Sequence, residues 1–328
     1  MLTTAVILIG IALIFEFVNG FHDSSNIVAT IINFRAMSPR KALLLAAIAE
    51  FLGPFIFGTA VATTIGSGIV DLKIINISVI FSALIGAIIW NLITWHFGIP
   101  SSSSHALIGG LIGSVAISAG IDKIHSGGVL KIVLVLFTSP LIGAFFGFLI
   151  TKITMHFTRN ATPHINEVFK KSQIISSIAL ALSHGANDAQ KTMGIITMSL
   201  VILGFQTVFV VPIWVILVCA LCMALGIASG GWRIIKTVGN KIFRIRPIDG
   251  FNAQLASSAV ILSAALIGGP VSTTHVVSSS IIGVGTGVSP SKVRWLVVND
   301  IITAWVITLP ISALISALVY LLINYVLN

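Results

Sequence analysis

Unbroken apolar stretches recur along the chain at 2–18, 42–65, 129–150, 208–228 and 296–326. A helix crossing a hydrocarbon layer of ~30 Å needs about 20 such residues, so these runs predict membrane-spanning helices from end to end. No separable soluble domain interrupts them. The first run is too long for a removable signal peptide, and it lacks a basic start and a small-residue cleavage site. Against this background the ionisable positions inside apolar runs stand out: Glu16, Asp23, Glu50, Asp188, Lys191 and Asp300.

Composition agrees with the pattern. Over 328 residues, 56% are hydrophobic and 8% charged. A soluble domain is about a quarter charged, so this chain has too little polar surface to meet water on all sides. The net charge of +9 raises nucleic acid as a partner, but the placement of the basic residues excludes it. They gather in four clusters: Arg35, Arg40, Lys41; Lys152, Arg159, Lys170, Lys171; Arg233, Lys236, Lys241, Arg244, Arg246; and Lys292, Arg294. With all four clusters in the cytoplasm, the outside keeps only Lys73, Lys123 and Lys131, with Asp71 and Asp122 near two of them. That is the positive-inside bias of a polytopic membrane protein. Cys219 and Cys222 lie inside an apolar run and read as packing, not as a disulfide framework or a metal site.

The chain also repeats itself. Gly20-Phe21-His22-Asp23-Ser24-Ser25-Asn26 is answered 165 residues later by Gly185-Ala186-Asn187-Asp188-Ala189-Gln190-Lys191. Pro100-Ser101-Ser102-Ser103-Ser104-His105 is answered 170 residues later by Pro270-Val271-Ser272-Thr273-Thr274-His275. Thr138-Ser139-Pro140 and Thr308-Leu309-Pro310 match at the same offset. Three ordered matches at nearly constant offset mark a tandem duplication. Tracing the basic clusters through the first copy brings the chain to the cytoplasm at its end, so the second copy starts inside and runs inverted. The expected organisation is a first inverted repeat over 1–156, a basic cytoplasmic linker over 157–171 and a second repeat over 172–328. The fold class is an all-α polytopic membrane protein whose two inverted-topology repeats each carry a broken first helix and a helical hairpin, either re-entrant or fully spanning, since loop charges give the same parity for both.

The duplicated residues define the candidate chemistry. Asp23 and Asn26 are three apart on one helix face, as are Asp188 and Lys191. Gly20 and Gly185 precede them and are expected to break their helices at membrane depth. Polar helix–helix contacts alone would explain one aspartate, but both copies keep one at the matching place. Pro100 and Pro270 each end one helix and start another, which puts Ser102, Ser103, Ser104 and Ser272, Thr273, Thr274 in the first turns of new helices. Free N–H groups and the dipole make such N-termini anion sites. Two of them meeting near the midplane would hold one tetrahedral oxyanion. Two carboxylates beside an anion repel it, so the site needs a cation or proton to arrive with it. Carboxylates also favour phosphate over sulfate, because phosphate near neutral pH keeps P–OH donors.

On these motifs, with Ser183-His184 ahead of Gly185, Gly98-Ile99 ahead of Pro100, Gly269 ahead of Pro270, and Ala304-Trp305-Val306-Ile307 ahead of Thr308, the chain resembles the inorganic phosphate transporter (PiT) family over essentially its full length. The resemblance implies phosphate symport, with hairpin tips and first helices forming the site. It implies substrate binding by Ser102, Ser103, Ser104, Ser272, Thr273, Thr274, Asn187 and Lys191. It further implies coupling-ion binding by Asp23, Asn26, Asp188, Glu50 and Asn91. His22 and Lys191 depart from the doubled sodium-coupled pattern and resemble the bacterial low-affinity branch, which implies protons, with Na+ at Asp23 and Asp188 as the alternative, and cargo that is free or metal-bound phosphate. A lysine ammonium can stand in the place of a bound Na+ and contact phosphate as a point charge.

A bacterial inner membrane, a homodimer and a PhoU-like cytoplasmic accessory protein complete what the resemblance implies; no cofactor beyond the coupling ion is expected. An intramembrane serine hydrolase built on Ser104, His105 and Asp23 is disfavoured, since duplication in inverted halves does nothing for one nucleophile and one base. A passive anion channel is disfavoured by the buried carboxylates. A sulfate or other oxyanion permease on the same fold is the nearest alternative.

Overall fold

The computed structural model describes residues 1–68, 75–124, 126–231, 234–235 and 242–327. The expectations placed on Asp71, Lys73, Arg233, Lys236 and Lys241 lie outside the described residues. Among the described residues there are eleven α-helices and no strand: α1 Leu2–Asn33, α2 Pro39–Phe57, α3 Ala60–Gly68, α4 Ile77–Phe97, α5 Ser103–Ser118, α6 Ser126–Thr158, α7 Ile165–Ile202, α8 Ile213–Ser229, α9 Pro247–Leu266, α10 Thr273–Val288 and α11 Trp295–Leu327. Four of them are long and apolar enough to cross a membrane, namely α1, α4, α6 and α11, and α2 with α3 makes a fifth if the bent pair is one span.

Local chemistry sets the element ends. Asn76 caps α4 by accepting from Val79 N, and Gly98 closes it in the left-handed conformation at φ 66°. After Pro100, Ser102 caps α5 by accepting from the amide of His105. In the same manner Ser272 caps α10 by accepting from His275 N. Each hairpin, α4–α5 and α9–α10, therefore turns at a glycine–proline segment and restarts at a serine. The restarted helices have 16 residues each, about 24 Å at 1.5 Å per residue, which is short of the hydrocarbon thickness.

The expected break in the first helix of each repeat is not where the helix breaks. Both α1 and α7 run without interruption through Gly20 and Gly185. These glycines serve close packing instead: a Cβ on Gly20 would collide with the Met223 carbonyl of α8, and one on Gly185 with the Glu50 carbonyl of α2. The backbone breaks one helix later. α2 and α3 meet at an 82° bend around Gly58, whose φ is 80°. Gln190 of α7 stitches this bend, since Val61 N and Ala62 N donate to its Oε1 at 2.7 and 3.1 Å while its Nε2 donates to Gly58 O at 2.6 Å. Those bonds satisfy groups that the broken ladder leaves open. α8 likewise ends at Gly230, and Gly231 N donates to Ser24 Oγ of α1 at 2.7 Å.

Packing is reciprocal between the two halves. α1 lies on α8 as α7 lies on α2, and α5 lies on α11 as α10 lies on α6. Glycines mediate each crossing: Gly113 meets the Ala313 carbonyl and Gly283 meets that of Ala144. Two apolar cores result. One joins the N-terminal half of α1 (Leu8, Ala12, Phe15) to the C-terminal half of α7 (Met193, Ile195, Ile196). The other joins Ile27, Val28 and Ile31 of α1 to Leu180 and Ala181 of α7. α1 and α7 thus cross antiparallel, and their polar motifs lie between the cores. Large apolar side chains such as Leu44, Leu141, Phe145, Leu318 and Leu322 face outward, as on a lipid-solvated surface.

Candidate substrate and ion site

The middle segments of α1 and α7 bring Glu16, Asp23, Glu50 (from α2) and Asp188 into the interior, all fully buried. Asp23 is surrounded by donors. Its Oδ1 accepts from Thr274 Oγ1 at 2.8 Å and from Asn26 Nδ2 at 3.1 Å, with His22 Nδ1 at 3.2 Å. Ser103 Oγ donates to Asn19 Oδ1 at 2.5 Å and reaches Asp23 Oδ2 at 3.4 Å. Asp188 is held in the matching way: Thr273 Oγ1 donates to its Oδ2 at 2.8 Å, and Lys191 Nζ donates to its Oδ1. Lys191 also donates to Ser104 Oγ at 2.5 Å and to Val271 O at 3.0 Å.

The two hairpin tips therefore meet. Ser104 Oγ of the first donates to Val271 O of the second at 3.3 Å, and Lys191 spans the seam. Four tip hydroxyls are paired with residues of α1 or α7: Thr273 with Asp188 of its own half, Thr274 with Asp23 of the other, Ser103 with Asn19 and Asp23, and Ser104 with Lys191. A buried polar group without a partner costs more than a hydrogen bond repays, so these pairings hold the tips shut on the carboxylates.

The residues singled out from the sequence do not all join this centre. Asp23, Asn26, Asp188, Lys191, Ser103, Ser104, Thr273 and Thr274 form it. Ser102 and Ser272 turn back to cap their own helices. Asn187 Nδ2 donates to Gly269 O at 3.0 Å, positioning the second hairpin, and its Oδ1 has no partner. Glu50 Oε1 bonds His184 Nδ1 at 2.6 Å. Asn91 is buried with neither amide atom hydrogen-bonded. Asp300 is exposed and lines a cavity of about 430 Å³ beside the first hairpin turn, away from the carboxylates.

One central residue was given no role by sequence reasoning. His184 Nε2 lies 3.8 Å from Asp23 Oδ2 and 3.5 Å from Asp188 Oδ2 while Nδ1 binds Glu50, so one imidazole joins three carboxylates. Its place one residue before Gly185 and four before Asp188 was the available signal. Asp23, His184 and Asp188 offer ligand atoms within 4.8 Å of one another. Two carboxylates and a ring nitrogen are groups that can take up a proton or ligate a cation.

Duplicated carboxylates and hydroxyls enclosed by long apolar helices, at the contact of two short helix N-termini, define a membrane transport protein. The chain belongs to the Phosphate transporter family, whose model matches residues 19–316. It is 44% identical over 330 residues to a probable low-affinity inorganic phosphate transporter of Bacillus subtilis (strain 168), covering 99% of each chain. A protein of the same description from Rhizobium meliloti (strain 1021) is 45% identical over 315 residues, covering 95% of this chain and 94% of its own. A solved structure, "The sodium-dependent phosphate transporter", superposes with a TM-score of 0.88 at 26% identity over 98% of this chain and 99% of that one. The resemblance read from the motifs holds, and the protein is a multi-pass membrane transporter and not an enzyme.

Proposed function

We propose that this protein is a secondary active carrier that takes up inorganic phosphate together with protons, by alternating access around the two hairpin tips. The observation that carries the reading is the pairing of tip hydroxyls with the duplicated aspartates, Thr274 with Asp23 and Thr273 with Asp188. Phosphate binds by taking the tip donors, the α5 and α10 N-termini and the Lys191 ammonium, and its P–OH groups donate to the carboxylates thus released. The anion cannot enter beside several carboxylates without compensating positive charge, so its movement is tied to that of the cation.

The two halves act as inverted repeats, a reading supported by the reciprocal packing of α1, α8 and α7, α2 and by the antiparallel crossing of α1 and α7. Each 16-residue arm then enters from one face and stops at the midplane. Protons are favoured by Lys191, an ammonium at the position where the first half has the oxygen donor Asn26. Na+ is the second reading, favoured by the sodium-dependent solved relative. The carrier model is tested by phosphate accumulation in proteoliposomes. Asp23→Asn and Asp188→Asn each abolish concentrative uptake while the protein remains folded in the membrane; accumulation at the parental rate by either variant would overturn the shared site.

A further inference from the structure

Among the described residues five carboxyl groups are buried, and four of them have a basic neighbour. Asp249 has Arg246 at 3.0 Å. Asp23 has His22 at 3.2 Å, Asp188 has Lys191, and Glu50 has His184 at 2.6 Å. Glu16 differs. Among the described residues no lysine, arginine or histidine lies within ion-pair distance of it; its Oε2 accepts from Thr192 Oγ1, and its Oε1 has no hydrogen-bond partner. An ionised carboxylate in that position, shielded from water and with no basic group at ion-pair distance, is costly enough that such groups normally take up a proton instead. Glu16 is also a feature of one half alone. At the 165-residue offset that relates the two motifs it falls on Ala181, so the duplication by itself does not require an acid there.

Its surroundings connect it to the site. Thr192 follows Lys191 directly and lies four residues after Asp188, on the face of α7 that carries both. The titratable groups facing Glu16 are Asp188 and Lys191 from α7, Glu50 from α2, and the thiols of Cys219 and Cys222 from α8. α4 contributes only His96 in its last turn; on α9 and α10, Asp249 is paired with Arg246 and His275 is stacked on Trp305. Ionised Glu16 thus adds negative charge beside Asp188 and Glu50, and neutral Glu16 removes it.

We propose that Glu16 is the group that carries the coupling proton, a role distinct from that of the Asp23–Asp188 centre. Protonated, it lowers the negative potential at the tips and admits phosphate; after the carrier turns inward, loss of phosphate and loss of the proton favour each other. The two bind with positive linkage, each tightening the other by the same factor. Thr192 holds the carboxyl against α7, so the proton and the anion are read by the same helix. This assignment rests on the proton-symport reading above.

The test uses the full-length protein in proteoliposomes without sodium, with an imposed inward proton gradient and the membrane potential clamped. Phosphate itself titrates, so the relevant quantity is accumulation beyond the ratio that its own ionisation allows. The parent accumulates beyond that ratio. Glu16→Gln is expected to fall to it, while exchange of labelled for unlabelled phosphate at equal pH continues, and Glu16→Asp is expected to restore accumulation with a shifted pH profile. Accumulation by Glu16→Gln equal to the parent's would overturn the proposal. So would loss of exchange in both Glu16→Gln and Glu16→Asp, which would make the residue structural. If the parent itself fails to accumulate without sodium, the proton-symport reading has failed first and the assignment goes with it, an outcome recognisable before any variant is compared.

Discussion

Hydroxyl groups at the tips are where single residues decide the chemistry. Thr273 Oγ1 donates to an aspartate at 2.8 Å, and hydrogen bonds to charged groups contribute roughly 1.5–3 kcal/mol. Thr273→Ala removes a donor both from Asp188 in the closed site and from any anion bound there. The closed state and the bound state both lose, so the affinity change is smaller than the full bond; about tenfold weaker phosphate binding corresponds to ~1.4 kcal/mol. Ser103→Ala is expected to behave alike, since its hydroxyl serves Asn19 and Asp23. Phosphate titration of the purified variants checks this, and affinities unchanged in both would show that the tips do not bind the anion. These hydroxyls were legible in the sequence because the motif is doubled. His184 was not: nothing in a linear motif reports that one imidazole will touch Glu50 from a helix 134 residues away along with both aspartates. The N-cap role of Ser102 and Ser272 was an open alternative in the sequence, because capping and anion binding use the same groups.

Helices were readable from apolar length and their ends from Asn, Ser, Gly and Pro, yet the position of the break was not. Glycine next to a polar motif signals either a broken helix or a close crossing, and the choice depends on which carbonyl approaches from another element. At Gly20 and Gly185 the approaching backbones are those of Met223 and Glu50, so the helices stay whole. The actual bend at Gly58 depends on Gln190, a side chain from another helix that substitutes for lost backbone partners. The run 42–65, read as one apolar stretch, is therefore two elements. Under the proposed inversion, the basic clusters set the orientation of the elements in the membrane. After replacing the native Cys219 and Cys222 with serine, Lys123→Cys should react with an impermeant thiol reagent from outside only, and Arg244→Cys from inside only. Labelling of both from one face would refute the inversion.

For the molecule as a whole, the two halves enclose a polar centre of unequal composition. Asp23 and Asp188 are common to both halves, whereas Lys191 answers Asn26 and Glu16 answers Ala181. Under the proposed function, the common part binds one anion between two opposed helix ends and the unequal part serves a cycle driven by protons, with the Lys191 ammonium at the Asn26 position and Glu16 lacking an ion-pair partner among the described residues. The most direct measurement is phosphate uptake into proteoliposomes at a fixed inward proton gradient with all Na+ replaced by choline. Uptake undiminished in choline and abolished when the proton gradient is dissipated is the predicted result; collapse of uptake in choline would show Na+ to be the coupling ion and contradict the account.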